Sequence, residues 1–333
     1  MRGHAGRCAV TRSVRVRSLA KVNLDLRVLA KRADGYHDLR TVFQTVSLAD
    51  RIEIEFEPAR RRDVVIDDAL AIPDNLILRA ANAVLDEMKV AARVRFRLKK
   101  SIPMGGGLGG GSSNAAAVLL ALPVLAGKVV PIERLTAIGQ ALGSDVPFFL
   151  HGGTEMALGT GGELYPLPDV KPSPILLVTP GIHVATGPAY AALGRGLTFT
   201  GSSSSINNFQ AFVRAFRAGR DAVAAAALSG NDFESVVFKQ HPQLRKIAAR
   251  LRAFSPGVRM SGSGSTIFAL FASDKDRERA VTDLSKDRVL KGCRLMDAEL
   301  VSRRGYQRLW RRQFGKHLAE EDVWPPRSRY WQP

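Results

Sequence analysis

The sequence predicts an α+β protein built from two layered domains. Several segments alternate apolar and polar residues with the period of two that a half-buried strand requires, and others carry apolar residues at helical spacing. A length of 333 residues makes two domains the natural expectation. A proline-rich stretch at 166–174 separates a first series of strands and helices from a second. We therefore expect an N-terminal arm (1–13), a first domain (14–170), a second domain (171–299) and a basic C-terminal extension (300–333).

The first predicted element is a strand over 14–28, where apolar residues alternate with polar ones. Asp34–Gly35 then marks a turn, and the segments "TVFQTVSL" and "DRIEIEFEP" predict two more strands. A further alternating segment, "ARVRFRLKKSIP", predicts a strand that ends at Pro103. Because successive side chains of a strand point to opposite faces, the second face of the first strand presents one polar set together: Lys21, Asn23, Asp25 and Arg27.

Helices are predicted at 74–88, from about 113 to 122, and at 132–142. Asp74 or Asn75 is a suitable N-cap for the first of them. The segment "GTEMALGTGGELYPL" that follows has the pattern of a hairpin.

The second half of the chain begins a new series with the apolar strand in "SPILLVTPG" at 173–181. The composition of "GSSSSINN" at 201–208 predicts a flexible loop. At 260–271, "MSGSGSTIFALF" predicts a short glycine loop followed by an apolar strand.

The formal net charge of +18 raises the question of nucleic-acid binding. The basic residues are spread along the chain, no predicted helix has a one-sided basic face, and a positive potential also attracts nucleotides. We therefore expect no specific nucleic-acid partner. The two cysteines offer no disulfide framework and Pro123 breaks the longest apolar run, so we expect a cytoplasmic protein without a membrane span. A short organellar presequence stays open for the basic N-terminus.

The most unusual segment is "PMGGGLGGGSSNAA" at 103–116, which has six glycines in seven positions between a strand and a helix. A helix N-terminus presents unpaired N–H groups and partial positive charge, and glycines let the backbone approach phosphate oxygens closely. Ser112 and Ser113 could add hydroxyl donors or a ligand for a phosphate-bound metal. The alternative is a plain glycine turn in which one of the two serines is the N-cap. A P-loop is excluded, because Gly111 and not lysine precedes Ser112.

These segments together resemble the GHMP kinase superfamily of small-molecule kinases. The glycine run is similar to its central phosphate-binding motif. Within the superfamily, "AKVNLDLRVLAKRADGYHDLRTVFQTVSLAD", "LGSDVPFFLHGGTEMALGTGGEL" and "SGSGSTIFALF" resemble the branch that phosphorylates the 2-hydroxyl of a cytidine-diphosphate-linked methylerythritol in non-mevalonate isoprenoid synthesis. The likeness runs from about residue 16 to about 298. It implies a two-domain GHMP kinase fold with the active site in the cleft between the domains, and ATP and Mg²⁺ as cofactors.

The resemblance implies that Asp145 is the catalytic base and Lys21 the active-site lysine. Taken by itself, Asp145 could equally be a helix N-cap ahead of Pro147, and Lys21 a solvated lysine at a sheet edge. The resemblance places adenine contacts at Asn75 and Leu76, which could otherwise be a helix cap and a core residue. It places ATP phosphate contacts along the glycine run: Pro103, Met104, Gly105, Gly106, Gly107, Leu108, Gly109, Gly110, Gly111, Ser112 and Ser113.

For the second substrate, the resemblance implies hydrogen bonding by Asn23 and binding of the cytosine at Tyr36 and His37. Thr186 and Tyr190 match positions on the substrate side, and Tyr190 would supply a second stacking ring where many members have phenylalanine. The loop at 261–266 would pack beside the phosphate site. The metal ligands stay unassigned, with Ser112 or Ser113 as candidates.

Two alternatives remain open at this stage. One is a sister GHMP kinase acting on another alcohol, of the mevalonate or homoserine type. The other is a basic RNA-binding protein that uses the C-terminal extension, in which "RLWRRQF" could form an amphipathic helix; a poorly structured appendage is equally compatible. No counterpart of the extension is recognised in the family. The expected partner is a small molecule carrying a cytidine diphosphate group, and the protein could be a monomer or a homodimer.

Overall fold

The computed structural model describes residues 10–196, 203–217, 222–226, 228–319 and 323–331. They form two sheets with helices packed against them. The first sheet contains β1 (Arg12–Lys31), β2 (His37–Pro58), β3 (Asp63–Asp68), β4 (Ala92–Lys99), β5 (Thr154–Gly159) and β6 (Glu163–Pro166). Its order is β3-β4-β2-β5-β6, and β1 pairs antiparallel with β2. The second sheet contains β7 (Pro174–Thr179), β8 (Val258–Met260), β9 (Ile267–Leu270) and β10 (Arg294–Glu299), in the order β10-β7-β9-β8.

Helices connect and cover these strands. Within the described residues they are α1 (Leu76–Glu87), α2 (Gly110–Ala126), α3 (Ile132–Leu142), α4 (Val146–His151), α5 (Thr186–Ala192), α6 (Ser203–Arg217), α7 (Ala222–Ala226), α8 (Glu234–Gln240), α9 (Pro242–Arg252), α10 (Asp274–Leu284) and α11 (Arg303–Phe314). Short 3₁₀ turns cover Arg288–Leu290 and Gly315–His317. The first core lies between the first sheet and helices α1 to α4 and α11. The second sheet has α9 and α10 on one side, and α6 and α7 on the side that faces β1.

Strand β1 belongs to both halves of the molecule. Its first residues lie in the first core, its middle contributes Ala20, Val22 and Leu24 to the core between the sheets, and its last part packs with the second sheet. Beyond its pairing with β2, the Leu26 N–H donates to the Gly230 carbonyl at 2.8 Å. Because both faces of its middle are covered, Lys21, Asn23 and Asp25 of the predicted polar face are buried as well, and Arg27 is half-buried.

The structure confirms the predicted strands β1, β4, β7 and β9, the hairpin β5–β6 and helices α1 and α3. The two strands predicted from "TVFQTVSL" and "DRIEIEFEP" are wrong as separate elements: they form the single strand β2, because Ala49 and Asp50 at their junction stay paired with β1.

The structure also corrects α2. This helix begins at Gly110 instead of about 113 and continues through Pro123 to Ala126. From Ser113 to Leu125 every residue is buried. Burial of this apolar surface outweighs the cost of a proline near the end of the helix.

The flexible loop predicted at 201–208 is wrong from residue 203 onward, where α6 begins; residues 201 and 202 lie outside the described residues. Phe209, Phe212 and Ala215 recur along one side of α6 and are buried between the sheets. Their burial stabilises a helix that serine and asparagine alone disfavour, and for this reason the serine-rich composition led to the wrong prediction of a loop.

The C-terminal extension is part of the first core, so the interpretation as a poorly structured appendage is wrong for its described residues. Ser302 caps α11 by accepting a hydrogen bond from the Gly305 N–H. Tyr306, Trp310 and Phe314 are at most 1% exposed. The predicted absence of a one-sided basic helix is also wrong, because the opposite face of α11 exposes three arginines: Arg304, Arg308 and Arg312.

Candidate active site

Asp145 stands at the start of α4 but does not cap it. The sequence places Pro147 in the first turn, where a missing N–H costs nothing, and Asp145 just before the helix. Its side chain makes no capping hydrogen bond. The Asp145 Oδ2 instead lies 3.4 Å from the Lys21 Nζ, and about a third of the side chain is exposed. Asp145 therefore occupies the N-cap position, but its carboxylate is not used for capping and is available for catalysis.

Lys21 reaches this carboxylate from the middle of β1 and is almost fully buried. A buried ammonium needs acceptors, and the Lys21 Nζ also donates to the Asn23 Oδ1 at 2.7 Å. Asn23 is held in turn, since its amide donates to the Thr41 Oγ1 at 2.8 Å. The Lys21 backbone N–H donates to the Leu108 carbonyl at 3.0 Å, which ties the strand to the glycine run. The predicted grouping of Lys21, Asn23 and Asp145 is thus present.

The glycine run leads into an uncapped helix N-terminus. The N-cap of α2 is Gly109, in the left-handed conformation and without a side-chain capping bond. Neither serine is the cap, so that alternative is wrong. The Ser113 hydroxyl donates to the Leu19 carbonyl at 2.6 Å inside the protein, which removes it as a metal-ligand candidate. Ser112 lines the large cavity described below. The first N–H groups of α2 are left for an external acceptor.

The glycines do not share one role. Gly107 has a φ of +74°, and a Cβ there would lie 2.1 Å from the Ser261 carbonyl oxygen. Gly109 has a φ of +68°, and its Cβ would lie 2.8 Å from the Phe149 ring. Both positions need glycine for the packing of the protein itself. Gly111 differs, because its Cβ would meet only the Leu76 Cδ1, at 3.6 Å. The absence of a side chain at Gly111 leaves room for a ligand.

Two connected cavities lie where these elements meet. A small one of about 190 Å³ is lined by Lys21, Asn23, Gly107 and Gly109 from the first half of the chain, and by Gly262 and Ser263 from the second. It shares Asp145, Thr186 and Tyr190 with a larger cavity of about 800 Å³. The cleft between the two halves therefore brings the predicted base, lysine, glycine run and substrate positions together.

Aromatic side chains form the wall of the larger cavity where it adjoins the small one. The His37 and Tyr190 rings stack with centroids 4.7 Å apart, and Phe233 contacts Tyr190 edge-on. Burial and the neighbouring Lys31 lower the pKa of His37, whereas burial and the Asp145 charge raise the pKa of Tyr190 to about 12. Tyr36 lines the same cavity but is 64% exposed, so the ring beside Tyr190 is that of His37.

Of the remaining predicted site residues, some line the cavities and others do not. Thr186 lies at the join of the two cavities, with its hydroxyl 3.0 Å from that of Ser263. The Asn75 side chain caps α1 by accepting from the Ile77 N–H at 3.0 Å, and it lines neither cavity. Leu76 lies beside Gly111. In the glycine run, Met104 is exposed and Pro103 half-buried.

Sequence reasoning missed several positive charges around the site. The Lys100 Nζ would be 3.0 Å from a Cβ at Gly110, so its ammonium lies at the start of α2, where it pairs with the buried Asp50. Lys31 and Arg195 line the larger cavity. Lys100 directly follows β4, whose exposed residues are also basic, so only the fold distinguishes it from them.

The second glycine loop, 261–266, packs against the first as expected. The Ser261 hydroxyl donates to the Gly107 carbonyl at 2.8 Å, and the Thr266 N–H donates to the Gly106 carbonyl at 3.3 Å. Asn231 holds the loop from the other side, since its side-chain amide donates a hydrogen bond to the Gly262 carbonyl at 2.8 Å. In the part of the chain that the structure describes, no three acidic, histidine or cysteine side chains gather as a metal cluster. None of the described helices has the length and apolar character needed to cross a membrane.

Comparison with known proteins assigns this arrangement to a family. The model of the GHMP kinase N-terminal domain matches residues 75–153, and that of the GHMP kinase C-terminal domain matches residues 210–288. A protein of Solibacter usitatus (strain Ellin6076), a 4-diphosphocytidyl-2-C-methyl-D-erythritol kinase, is 50% identical over 97% of this chain and 99% of its own length. The chain belongs to the 4-diphosphocytidyl-2-C-methyl-D-erythritol kinase family of GHMP kinases.

Two further members of this kinase family match a large part of the chain. The one from Syntrophus aciditrophicus (strain SB) is 40% identical over 82% of this chain and 95% of its own length. A crystal structure of a 4-(cytidine 5'-diphospho)-2C-methyl-D-erythritol kinase superposes with a TM-score of 0.71 at 36% identity, covering 86% of this chain and 98% of that one. A homoserine kinase of Cytophaga hutchinsonii superposes with a TM-score of 0.68 over 91% of this chain and 97% of its own, but at 17% identity it shows the fold alone.

The Solibacter match corrects one expectation about the C-terminal extension. Its unmatched share of this chain, 3%, is much shorter than residues 300–333, so most of the extension does have a counterpart in that kinase. The motifs on which the family resemblance rests end before residue 300, so they could not show that the extension has a counterpart in the family.

Proposed function

We propose that this chain transfers the γ-phosphoryl group of ATP to the 2-hydroxyl of 4-diphosphocytidyl-2-C-methyl-D-erythritol. The observation that carries the proposal is the pairing of Lys21 with an Asp145 that stands at a cap position without capping, beside the uncapped N-terminus of α2. One cavity system thus offers a proton acceptor, a fixed cation and an anion site. Phosphoryl transfer requires these three parts.

In this mechanism the Asp145 carboxylate orients the substrate hydroxyl and accepts its proton as the new P–O bond forms. Lys21, fixed by Asn23, offsets negative charge on the transferring group. The first N–H groups of α2 and the backbone at Gly111 hold the ATP phosphates, with Lys100 adding charge at the start of the helix. Leu76, beside Gly111, would contact the nucleotide, and Asn75 would shape that contact by fixing the start of α1.

Mg²⁺ fits the chemistry of this site. Magnesium in kinases is held mainly by substrate phosphates and only one or two protein oxygens, so a cluster of ligands is not required. The Ser112 hydroxyl and the Asp145 carboxylate both line the larger cavity and could supply those oxygens. The ion would neutralise charge on the phosphates during transfer.

The cytidine diphosphate group would occupy the larger cavity. Tyr36 is free to close over a cytosine, and Tyr190 offers the other ring once the base takes the place of the His37 imidazole. The backbone at His37 would then bond the base. Lys31 and Arg195 line the same cavity and suit the negative charge of a diphosphate. Asn23 and Thr186 lie nearer the reaction centre and would hold the sugar alcohol.

A panel of alcohols tests the assignment. Purified protein is incubated with ATP, Mg²⁺ and either 4-diphosphocytidyl-2-C-methyl-D-erythritol, mevalonate or homoserine, and ADP release is measured. We expect turnover of the cytidyl compound only. Turnover of mevalonate or homoserine without the cytidyl compound would show a sister GHMP kinase. Gel filtration with light scattering separates the monomer from the homodimer.

A further inference from the structure

Helix α4 is short and leaves carbonyl groups to be satisfied by the rest of the protein. It has six residues, and the last four carbonyls of any helix lack a partner within it. The Gly152 N–H donates to the Phe148 carbonyl at 2.9 Å. The next two carbonyls accept from the C-terminal extension: that of Phe149 from the Tyr306 hydroxyl, and that of Leu150 from the Trp324 indole N–H at 2.9 Å.

The chain after α4 is shaped to receive the extension. A Cβ at Gly152 would lie 2.4 Å from the Tyr306 ring, and one at Gly153 would lie 2.7 Å from Arg303. Only two residues without side chains allow α11 to come so close to the end of α4. Arg303 then donates to the Thr154 carbonyl at 3.0 Å, which extends the contact into β5.

Helix α4 contacts both the proposed base, Asp145, and the start of the proposed phosphate site at α2. Asp145 immediately precedes its first residue, and the Phe149 ring lies against Gly109, the N-cap of α2. Phe148 and Phe149 are fully buried, so α4 is packed into the first core. A change in its position would displace the carboxylate and the glycine run together.

From these contacts we infer that Tyr306 and Trp324 of the C-terminal extension are positioning residues, which fix α4 by its final carbonyls and thereby set the distance between Asp145 and the phosphate site. The inference rests on the role proposed above for Asp145. A misplacement of about 1 Å at a reacting group can lower turnover about 100-fold, so hydrogen bonds remote from the substrate can affect kcat.

Tyr306→Phe tests this by removing a single oxygen. We expect kcat to fall about fivefold, because the Phe149 carbonyl loses its donor and α4 can shift Asp145 away from the substrate hydroxyl, while KM for ATP and for the cytidyl substrate changes less than twofold. The matched control is Tyr330→Phe, the same change in the same extension. Its hydroxyl lies 3.0 Å from the His317 Nδ1, away from α4, and kcat should stay at the wild-type value. Trp324→Phe removes the second donor and should repeat the kcat effect; it carries the test if Tyr306→Phe does not fold.

A double-mutant cycle with Asp145→Asn separates positioning from general stability. If Tyr306 acts through Asp145, Tyr306→Phe should lower the residual turnover of Asp145→Asn by much less than fivefold. Three results would each overturn the inference. Tyr306→Phe could lower turnover by the same factor in wild type and in Asp145→Asn. Alternatively, kcat could be unchanged in both Tyr306→Phe and Trp324→Phe, or Tyr330→Phe could lower kcat as much as Tyr306→Phe does. A near-normal turnover of Asp145→Asn alone would instead overturn the proposed base, and the two failures are thereby distinguished.

Discussion

At the scale of single residues, Asp145 shows how a helix start can supply chemistry. A carboxylate at this position usually accepts N–H bonds of the first turn and so stabilises the helix. Here the side chain turns toward Lys21 instead, and the proline at the start of α4 reduces the need for a cap.

Asp145→Asn should therefore abolish most turnover while leaving the fold intact. Asparagine keeps the shape and loses both the charge and the ability to accept a proton, and general base catalysis supplies about 10²- to 10⁴-fold. We expect kcat to fall within that range, with ATP affinity and melting temperature close to wild type, as measured by ADP release, calorimetry and thermal unfolding. If Asp145 were only a cap, the melting temperature would fall and turnover would persist.

Alanine at Gly107 should lower thermal stability, whereas alanine at Gly111 should lower ATP affinity. At Gly107 the methyl group meets the Ser261 carbonyl and the positive φ adds strain of about 1 kcal/mol or more, so thermal stability should fall. At Gly111 the nearest atom is at ordinary contact distance and φ is not positive, so stability should hold. The Gly111 methyl would instead crowd the phosphates, and ATP affinity should drop about tenfold, or 1.4 kcal/mol.

Calorimetry with ATP and unfolding without ligand would distinguish the two variants. Wild-type ATP affinity in Gly111→Ala would mean that the start of α2 is not the phosphate site. The sequence indicated that the glycine run approaches something closely. It could not show that Gly107 approaches the protein itself, because its contact, Ser261, lies 154 residues away in the chain.

At the scale of elements, the contact between α11 and β5 contains a buried carboxylate. Burial raises the pKa of Glu155 to about 8, and the Arg303 charge offsets this only in part. One oxygen accepts from Arg303 at 3.2 Å, while the other is buried with no hydrogen-bond donor. The folded protein therefore holds a proton on Glu155 at pH values where the unfolded chain has lost it.

This predicts that Glu155 makes stability decline as pH rises. A carboxyl whose pKa is higher in the folded state contributes most below its unfolded pKa of about 4.5, and the contribution is lost between there and about pH 8. Glu155→Gln cannot titrate. Between pH 5 and pH 8, the melting temperature of wild type should fall more than that of Glu155→Gln, with all other groups common to both. Parallel melting curves across this range would contradict the raised pKa.

Elements with a distinct face were predictable and those stabilised by distant contacts were not. β4 alternates because one face is buried and the other faces water, so its pattern alone identified it. α6 carries a serine-rich start that is typical of loops, and only its burial between two sheets makes it helical. The extension was ambiguous for the same reason, since its apolar residues fit into a core that forms from other parts of the chain.

At the scale of the whole molecule, the extension completes the first core. Trp310 is fully buried there and stacks on Phe314 with centroids 5.5 Å apart. Because α11 supplies Tyr306, Trp310 and Phe314 to the first core, removal of this helix would lower the stability of that core.

Trp310→Ala should therefore be among the most destabilising substitutions in this chain. Replacing a buried tryptophan by alanine costs about 3–5 kcal/mol. Trp331→Ala is the matched control, because Trp331 is 45% exposed and should cost less than about 0.5 kcal/mol. Urea unfolding followed by circular dichroism gives both values. A loss below 1 kcal/mol for Trp310→Ala would mean that α11 only rests on the surface.

The path of β1 has a consequence for any attempt to dissect this protein. Along its length, β1 contributes side chains first to the first core, then to the core between the sheets, and last to the core on the other side of the second sheet. Near its end, the Leu26 N–H donates a hydrogen bond to the Gly230 carbonyl. A cut in the proline-rich stretch between β6 and β7 would leave the second fragment without the strand that covers its inner face, and the first without α11. Fragment complementation, in which two separately expressed pieces regain a fold only when mixed, is accordingly the behaviour to expect from such a cut.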